Sequence, residues 1–153
     1  MPRIGRGRSG GRSPGGPVVG IGVDLCEVDR MRRALDRTPA LRDRLFTPAE
    51  QADCDARRDP AERYAARFAA KEAVLKALGV GLGACPLRDI EVVRSEGGAP
   101  SLALHGSAAR LAADRAVARW HVSLTHTGLM AEAMVVAVGR SRRGGRSGRG
   151  AAT

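Results

Sequence analysis

Apolar and polar residues follow two different periods along this chain. Residues 17–24 are β-branched with interspersed glycines, which predicts a buried strand whose glycines allow close approach of other backbone. Four later segments show the alternation typical of strands, and the G-G-A-P sequence forms a turn between the first two of them. These segments are 88–94, 100–105, 121–127 and 130–138.

Most of the remaining sequence shows the spacing of apolar residues that is typical of helices. Thr47 and Asp59 each act as a cap before a proline and a nearby glutamate, so both mark a helix start. The helix that begins after Asp59 is long and ends at Gly79. Helices and strands at hairpin spacing together predict an α+β fold with an antiparallel sheet. The shorter helices are predicted at 27–37, at 40–45, and from a cap at Ser107 to about Ala118.

Charge and glycine are concentrated at the two ends of the chain. The 153 residues include 26 Lys or Arg and 16 Asp or Glu, for a formal net charge of +10. Nine of the arginines lie in residues 1–16 and 140–153, which contain no acid, so 17–139 holds 17 basic and 16 acidic residues. We therefore expect one nearly neutral domain over 17–139 between two disordered Gly/Arg-rich tails.

The composition excludes several classes of protein. Alanine supplies 26 residues and aromatics only four, so the core is thin and would benefit from burial against a partner subunit. No apolar run approaches the ~20 residues of a membrane span, and no small-residue cleavage pattern follows the basic N-terminal segment, so we expect no signal peptide and a cytoplasmic protein. Cys26, Cys54 and Cys85 are odd in number and widely separated, which argues against disulfides and a thiolate zinc site.

Two carboxylates and a lysine are the strongest candidates for chemistry. Glu72 and Lys76 lie four residues apart on the long helix, one turn after Phe68, where a solvated ion pair is the ordinary interpretation. Alanines surround them, so other backbone or a ligand can come close. Asp24 ends the first strand and either caps the next helix or joins Glu72 in binding Mg²⁺. With Lys76 to attract phosphate, the three residues suggest Mg²⁺-assisted phosphoryl chemistry.

Histidines and the glycine-rich loop give weaker signals. His126 lies near a strand end among hydroxyl side chains, a position that is more often structural than catalytic. His105 and His121 lack such neighbours and are interpreted as structural. The G-V-G-L-G loop at 79–83 follows a helix instead of preceding one, so it is neither a dinucleotide fingerprint nor a P-loop.

Three ordered motifs resemble the signatures of the holo-[acyl-carrier-protein] synthases, the small 4′-phosphopantetheinyl transferases. The resemblance covers about 18–138 and implies an α+β fold in which one long helix packs on a small antiparallel sheet. It also implies a homotrimer with active sites between subunits. The motifs are G-I-G-V-D-L-C-E-V-D-R at 20–30, R-F-A-A-K-E-A-V-L-K-A-L-G at 67–79 and H-V-S-L-T-H-T at 121–127, with F-T-P-A-E at 46–50, D-I-E-V at 89–92 and G-A-P at 98–100 between them.

The resemblance further implies transfer of 4′-phosphopantetheine from coenzyme A to a serine of an acyl carrier protein, with Mg²⁺ and release of 3′,5′-ADP. It makes Asp24 and Glu72 the metal ligands. It places Arg30 against an acidic carrier protein, and we expect the neighbouring charges of Arg32 and Arg33 on the same helix to face that partner too. The residues implied for catalysis are Glu72, Lys76 and His126, and those beside coenzyme A are Lys76, Gly79, Gly81 and Pro100.

Two positions depart from the family pattern, and two other functions stay open. Ala99 replaces a lysine that is frequent in the G-x-P turn, and Thr127 stands where some relatives have aspartate. One alternative is an RNA-binding module that uses the arginine-rich tails. Those tails contain no aromatic residue for base stacking, so we expect no specific nucleic-acid partner. The other alternative is a Mg²⁺-dependent hydrolase acting on a different pyrophosphate.

Overall fold

Five strands and five α-helices form the part of the chain that the structure, a computed structural model, describes, namely residues 15–141. The disorder predicted for the tails falls mainly on residues outside this range. The strands are β1 (Val18–Glu27), β2 (Ile90–Arg94), β3 (Pro100–Leu104), β4 (Val117–His126) and β5 (Met130–Gly139). The helices are α1 (Val28–Arg37), α2 (Leu41–Leu45), α3 (Pro48–Asp55), α4 (Pro60–Leu78) and α5 (Gly106–Asp114), and a 3₁₀ turn covers Leu87–Asp89.

The strands form two antiparallel sheets. β5 lies between β1 and β4 in a three-stranded sheet, and β2 pairs with β3 as a separate hairpin. In the larger sheet Asp24 pairs with Ala133, which in turn pairs with Leu124. This topology confirms the predicted α+β fold, in which a small antiparallel sheet packs against one long helix.

Helix α4 is the centre of the molecule. Thirteen of its 19 residues are buried, and seven of those are alanines, as the alanine-rich composition predicted. β1 lies directly on the α4 backbone. A Cβ added to Gly20 would be 1.9 Å from the Ala77 carbonyl oxygen, and one added to Gly22 would be 1.8 Å from that of Ala73. The glycines of the first strand therefore serve the close backbone contact that the sequence predicted.

The signals for both helix starts are confirmed. The Thr47 hydroxyl accepts a hydrogen bond from the Glu50 N–H, and the Glu50 carboxylate accepts one from the Thr47 N–H, which completes a capping box for α3. The Asp59 carboxylate accepts from the Ala61 N–H at the start of α4. Gly79 ends α4 in the left-handed conformation, with φ of 68°.

The region from Ser107 to Ala118 differs from the sequence prediction. Ser107 is the second residue of α5 and not its cap. Its N–H and its hydroxyl both donate to the carboxylate of Asp89, which lies in the 3₁₀ turn before β2. α5 ends at Asp114 and not near Ala118. Ala116, at φ of 55°, redirects the chain, and pairing with β5 then draws the following residues into β4.

All three thiols are free and buried, in agreement with the sequence analysis. Burial raises the pKa of Cys26 to about 11 and that of Cys54 to about 12, so both stay protonated at neutral pH. Among residues 15–141, no helix combines the length and apolarity that a membrane crossing requires.

Candidate active site

Asp24 and Glu72 line one cleft of about 640 Å³ between β1, α1 and α4. Asp24 comes from the strand and Glu72 from the helix, and they meet because Gly20 and Gly22 allow β1 to lie against the α4 backbone. Arg30 of α1 lines the same cleft. Two segments that are far apart in the sequence, one with Asp24 and Arg30 and one with Glu72, are thus brought together.

Lys76 reaches across to the strand instead of pairing along its own helix. Its Nζ donates to Asp24 Oδ1 at 2.7 Å and to the carbonyl oxygen of Val23 at 2.9 Å. The lysine side chain is 53% exposed and that of Asp24 is 18% exposed. The surface pair of Lys76 with Glu72, which the i,i+4 spacing suggested, is therefore not the ion pair that forms.

The electrostatics of Glu72 favour a cation in the cleft. Burial raises the pKa of Glu72, the charge of Asp24 raises it further, and the charge of Lys76 offsets only part of this. Within residues 15–141 no group of three or more His, Cys, Asp or Glu side chains is arranged to hold a metal ion. Two carboxylates that leave positions for water and substrate phosphate are a donor set that suits Mg²⁺.

The rest of the cleft wall is largely apolar. Phe68 lies one turn before Glu72 on α4, as the helical spacing predicted. Leu82 and Leu87 contribute from the connection between α4 and β2, and Leu41 and Leu45 from α2. A charged end beside an apolar wall suits a substrate that has both a phosphate and an uncharged arm.

The arginines of α1 do not share one role. Arg30 is exposed at the cleft. Arg32 faces away from it and makes two hydrogen bonds to the Asp59 carboxylate, at 2.8 and 2.9 Å, and this guanidinium lowers the pKa of Asp59. Arg32 thus has a carboxylate partner within the chain, and its contact with an acidic carrier protein stays a prediction. Arg33 is exposed.

His126 and Pro100 belong to a second region. Both line a cavity of about 180 Å³ together with Arg63, Arg67 and Arg94, and neither lines the cleft of Asp24 and Glu72. The imidazole Nδ1 of His126 lies 3.7 Å from the Glu62 carboxylate. Within a single chain, the residues implied by the resemblance are thus divided between two sites.

The arginine cluster of this second region was missed by the sequence analysis. Burial lowers the pKa of Arg63, and the neighbouring charges of Arg94 and Arg57 lower it further. Arg67 is 2% exposed and pairs with Asp53, and its Nε has no hydrogen-bond partner among the described residues. The i,i+4 spacing of Arg63 and Arg67 was an available signal, but it is weak in a chain with 24 arginines.

Gly79 and Gly81 lie in the exposed connection that follows α4. Gly79 is the left-handed residue at the helix end, where its N–H donates to the Lys76 carbonyl oxygen at 3.0 Å. Gly81 follows two residues later. Both are therefore close in sequence to Lys76, and their role beside a ligand stays a prediction.

Known proteins resemble this chain over nearly the whole described region. The sequence model of the 4′-phosphopantetheinyl transferase superfamily matches residues 20–133. The holo-[acyl-carrier-protein] synthase of Desulforudis audaxviator is 54% identical over 125 residues, which are 81% of this chain and 95% of that protein. The enzyme of the same name from Moorella thermoacetica is 49% identical over 119 residues, covering 78% and 93% of the two chains.

A solved structure supports the same relationship. The holo-(acyl-carrier-protein) synthase of Bacillus anthracis, in complex with coenzyme A (3′,5′-ADP), superposes with a TM-score of 0.67 at 32% identity, covering 80% of this chain and 98% of that one. The match to the superfamily spans every residue singled out for catalysis, metal binding and carrier contact. The chain belongs to the 4′-phosphopantetheinyl transferase superfamily and is an enzyme of its holo-[acyl-carrier-protein] synthase group.

Proposed function

We propose that this enzyme transfers 4′-phosphopantetheine from coenzyme A to a serine hydroxyl of an apo acyl carrier protein, with Mg²⁺ and with release of 3′,5′-ADP. The observation that carries the proposal is that Asp24 and Glu72 line one cleft while Lys76 donates a hydrogen bond to Asp24. The bond that forms joins the serine oxygen to the phosphorus beside the pantetheine arm. The bond that breaks lies within the pyrophosphate.

Asp24, Glu72 and Lys76 each have a defined part in this proposal. Asp24 and Glu72 would hold Mg²⁺, which when bound neutralises charge on the pyrophosphate. The Lys76 ammonium lies near enough to the carboxylates to contact a phosphate in the same place and stabilise the charge that develops on the leaving oxygen. The serine proton passes to Glu72, to a water in the site or to bulk solvent.

Anionic groups of coenzyme A have a suitable site in the second region. Arg63 and Arg94 repel one another there, and a phosphate between them would relieve the repulsion. Pro100, which the resemblance puts beside coenzyme A, and the candidate catalytic residue His126 line the same cavity. The Bacillus anthracis relative described as a complex with coenzyme A supports this choice of substrate.

An assembly of three subunits would unite the two regions. The face of β1 turned away from α4 leaves large apolar side chains unusually exposed, with Ile21 at 61% and Leu25 at 57%. Val23 and Met134 extend this face. We propose that it packs against neighbouring subunits in a homotrimer, so that the cleft of one subunit adjoins the His126 region of the next.

The carrier protein would approach over α1. Arg30 is exposed at the mouth of the cleft, where it can pair with an acidic helix of the carrier. The reaction is proposed to take place in the cytoplasm. The three free buried thiols support a reducing compartment.

The transfer assay tests this proposal directly. The protein is mixed with coenzyme A, Mg²⁺ and an apo acyl carrier protein, and the intact mass of the carrier is expected to rise by one phosphopantetheine. Glu72→Gln should reduce the rate at least about 100-fold, because it removes a metal ligand. Asp114→Asn removes an exposed acid at the end of α5 and serves as the matched control. A carrier of unchanged mass would refute the function.

The same mixtures separate the alternative functions. A Mg²⁺-dependent hydrolase would release 3′,5′-ADP from coenzyme A in the absence of the carrier, whereas the transferase requires the carrier for turnover. An RNA-binding role would depend on the tails, of which residues 1–14 and 142–153 lie outside the described range.

The trimer has its own measurement. Sedimentation equilibrium of the full chain should give three times the 16.0 kDa subunit mass. Ile21→Glu places a charge on the exposed apolar face of β1 and should shift the mass toward the monomer and lower the transfer rate. A monomeric wild-type protein with full activity would contradict the shared site.

A further inference from the structure

We propose that Lys76 acts as a resident cation at Asp24 in the free enzyme and that coenzyme A draws it away when the divalent cation binds. Lys76 would thereby couple binding of the cation to binding of coenzyme A. This inference rests on the proposed function and adds to it a second role for a lysine otherwise assigned to contact phosphate.

The contacts of Lys76 supply the first step. Two of the three hydrogens on its Nζ are directed to β1, one to Asp24 Oδ1 at 2.7 Å and one to the Val23 carbonyl oxygen at 2.9 Å. The carboxylate is the more enclosed partner, at 18% exposure, while the lysine is 53% exposed on a flexible stem. The ammonium group can therefore leave without disturbing the sheet, and the carboxylate stays in place.

The choice of partner supplies the second step. Glu72 lies one turn before Lys76 on the same helix, yet the ion pair that forms joins Lys76 to Asp24. A cation that enters the cleft must therefore compete with the ammonium group for Asp24, while no described residue forms an ion pair with Glu72. We expect the free enzyme to bind divalent cations more weakly than two unpaired carboxylates would.

The ligand supplies the third step. A pyrophosphate in the cleft offers Lys76 a new anionic partner, so that Asp24 is released to the incoming cation without leaving any charge unpaired. The two binding events then assist each other. Because linkage is reciprocal, the factor by which coenzyme A raises the cation affinity equals the factor by which the cation raises the affinity for coenzyme A.

Direct binding of Mn²⁺, followed by electron paramagnetic resonance on the full chain without carrier protein, tests the inference. In the absence of coenzyme A, Lys76→Met should raise the Mn²⁺ affinity about three- to fivefold, the size expected for loss of one partly exposed ion pair. Arg30→Met is the matched control, since it removes another positive charge from the same cleft and should change the affinity less than about twofold. With coenzyme A present, the wild-type affinity should rise, and Lys76→Met should show a smaller rise.

Several outcomes overturn the inference. Unchanged or weaker Mn²⁺ binding by Lys76→Met in the absence of coenzyme A would refute it, as would an equal gain in Arg30→Met. Asp24→Asn separates this failure from failure of the proposed metal site. If Asp24→Asn leaves Mn²⁺ binding intact, the metal assignment is wrong and the role of Lys76 falls with it. If Asp24→Asn weakens binding and Lys76→Met does not strengthen it, only the role of Lys76 is wrong. Thermal melts of each variant verify that the fold is retained.

Discussion

Helix α4 carries both lysines of the chain, and each pairs with a carboxylate from another element. Lys71 pairs with Glu50 of α3, and both side chains are completely buried. Lys76 pairs with Asp24 of β1, and that pair is partly exposed at the candidate active site. The two pairs have the same chemistry and lie five residues apart, so their surroundings alone decide what each can do.

Every hydrogen-bonding group of the buried pair is occupied. Lys71 Nζ donates to Glu50 Oε2 at 2.8 Å and also to the carbonyl oxygens of Leu87 and Ile90. The Glu50 carboxylate accepts from the Thr47 and Val92 N–H groups, each at 2.9 Å. This network joins α3, α4 and β2 and leaves no position for a ligand, which indicates a structural role.

The exposed pair is held less tightly and faces an open cleft. Among residues 15–141 the Lys76 ammonium group has hydrogen bonds only to β1, and the pKa of its neighbour Glu72 is raised by burial and by Asp24. Groups that are incompletely satisfied in the free protein can gain new partners when a ligand binds. Saturation of hydrogen bonds thus distinguishes the buried pair from the pair at the candidate active site, even though both look alike in the sequence.

Lys71→Met is the change with the largest expected effect. It leaves the buried Glu50 carboxylate without its cation and the carbonyls of Leu87 and Ile90 without a donor, so it should lower the free energy of unfolding by about 3–5 kcal/mol. The melting temperature should fall by roughly 10–20 °C in scanning calorimetry.

The double variant Glu50→Leu/Lys71→Met is the control for this prediction. It removes both charges, so it should recover part of the lost stability, because a buried pair can be replaced by apolar groups at small net cost. A fall of less than about 3 °C in the melting temperature of Lys71→Met would contradict the structural role.

Local signals explain which parts of this comparison were predictable. The start of α3 at Thr47, the course of α4 and its end at Gly79 depend on neighbouring residues, so the sequence alone predicted them. The motifs also identified Asp24 and Glu72, which the fold does bring together. The capping glutamate Glu50 was recognised for its local role.

The partners of charged side chains were not predictable, because they come from distant segments. Nothing near Glu50 indicates that its carboxylate also meets Lys71, 21 residues later. Lys76 has two carboxylates within reach, and only the packing of β1 on α4 selects Asp24 over the residue one turn away. The contact of Asp89 with the first turn of α5 and the assembly of the arginine cluster were likewise not predictable, because both join distant segments.

Lys76→Met should affect the transfer rate more than the stability, whereas the effect expected for Lys71→Met is on stability. Removal of the ammonium group takes away a phosphate contact and should lower the transfer rate about 10- to 100-fold. The free energy of unfolding should change by less than ~1 kcal/mol, since the Asp24–Lys76 pair is partly exposed, so the melting temperature should move by only a few degrees. Loss of stability on the scale expected for Lys71→Met would show that both pairs are structural.

Glu72→Gln gives the smallest expected change in stability and the one that depends on pH. The pKa of Glu72 is raised in the folded enzyme above its value in the unfolded chain, mainly by burial and then by Asp24. The folded state therefore holds the proton more tightly, and the wild type loses stability as pH rises through the interval between the two pKa values. Glu72→Gln lacks this titration, so without metal it should melt slightly higher than the wild type at neutral pH. The difference should vanish in acid, below both pKa values.

Melting curves from pH 4 to 8, with Asp114→Asn as the reference, measure this difference in melting temperature. A lower melting temperature for Glu72→Gln at neutral pH would mean that the Glu72 carboxylate stabilises the fold, as the Glu50 carboxylate does, and would remove the contrast between the buried carboxylate and the one in the cleft.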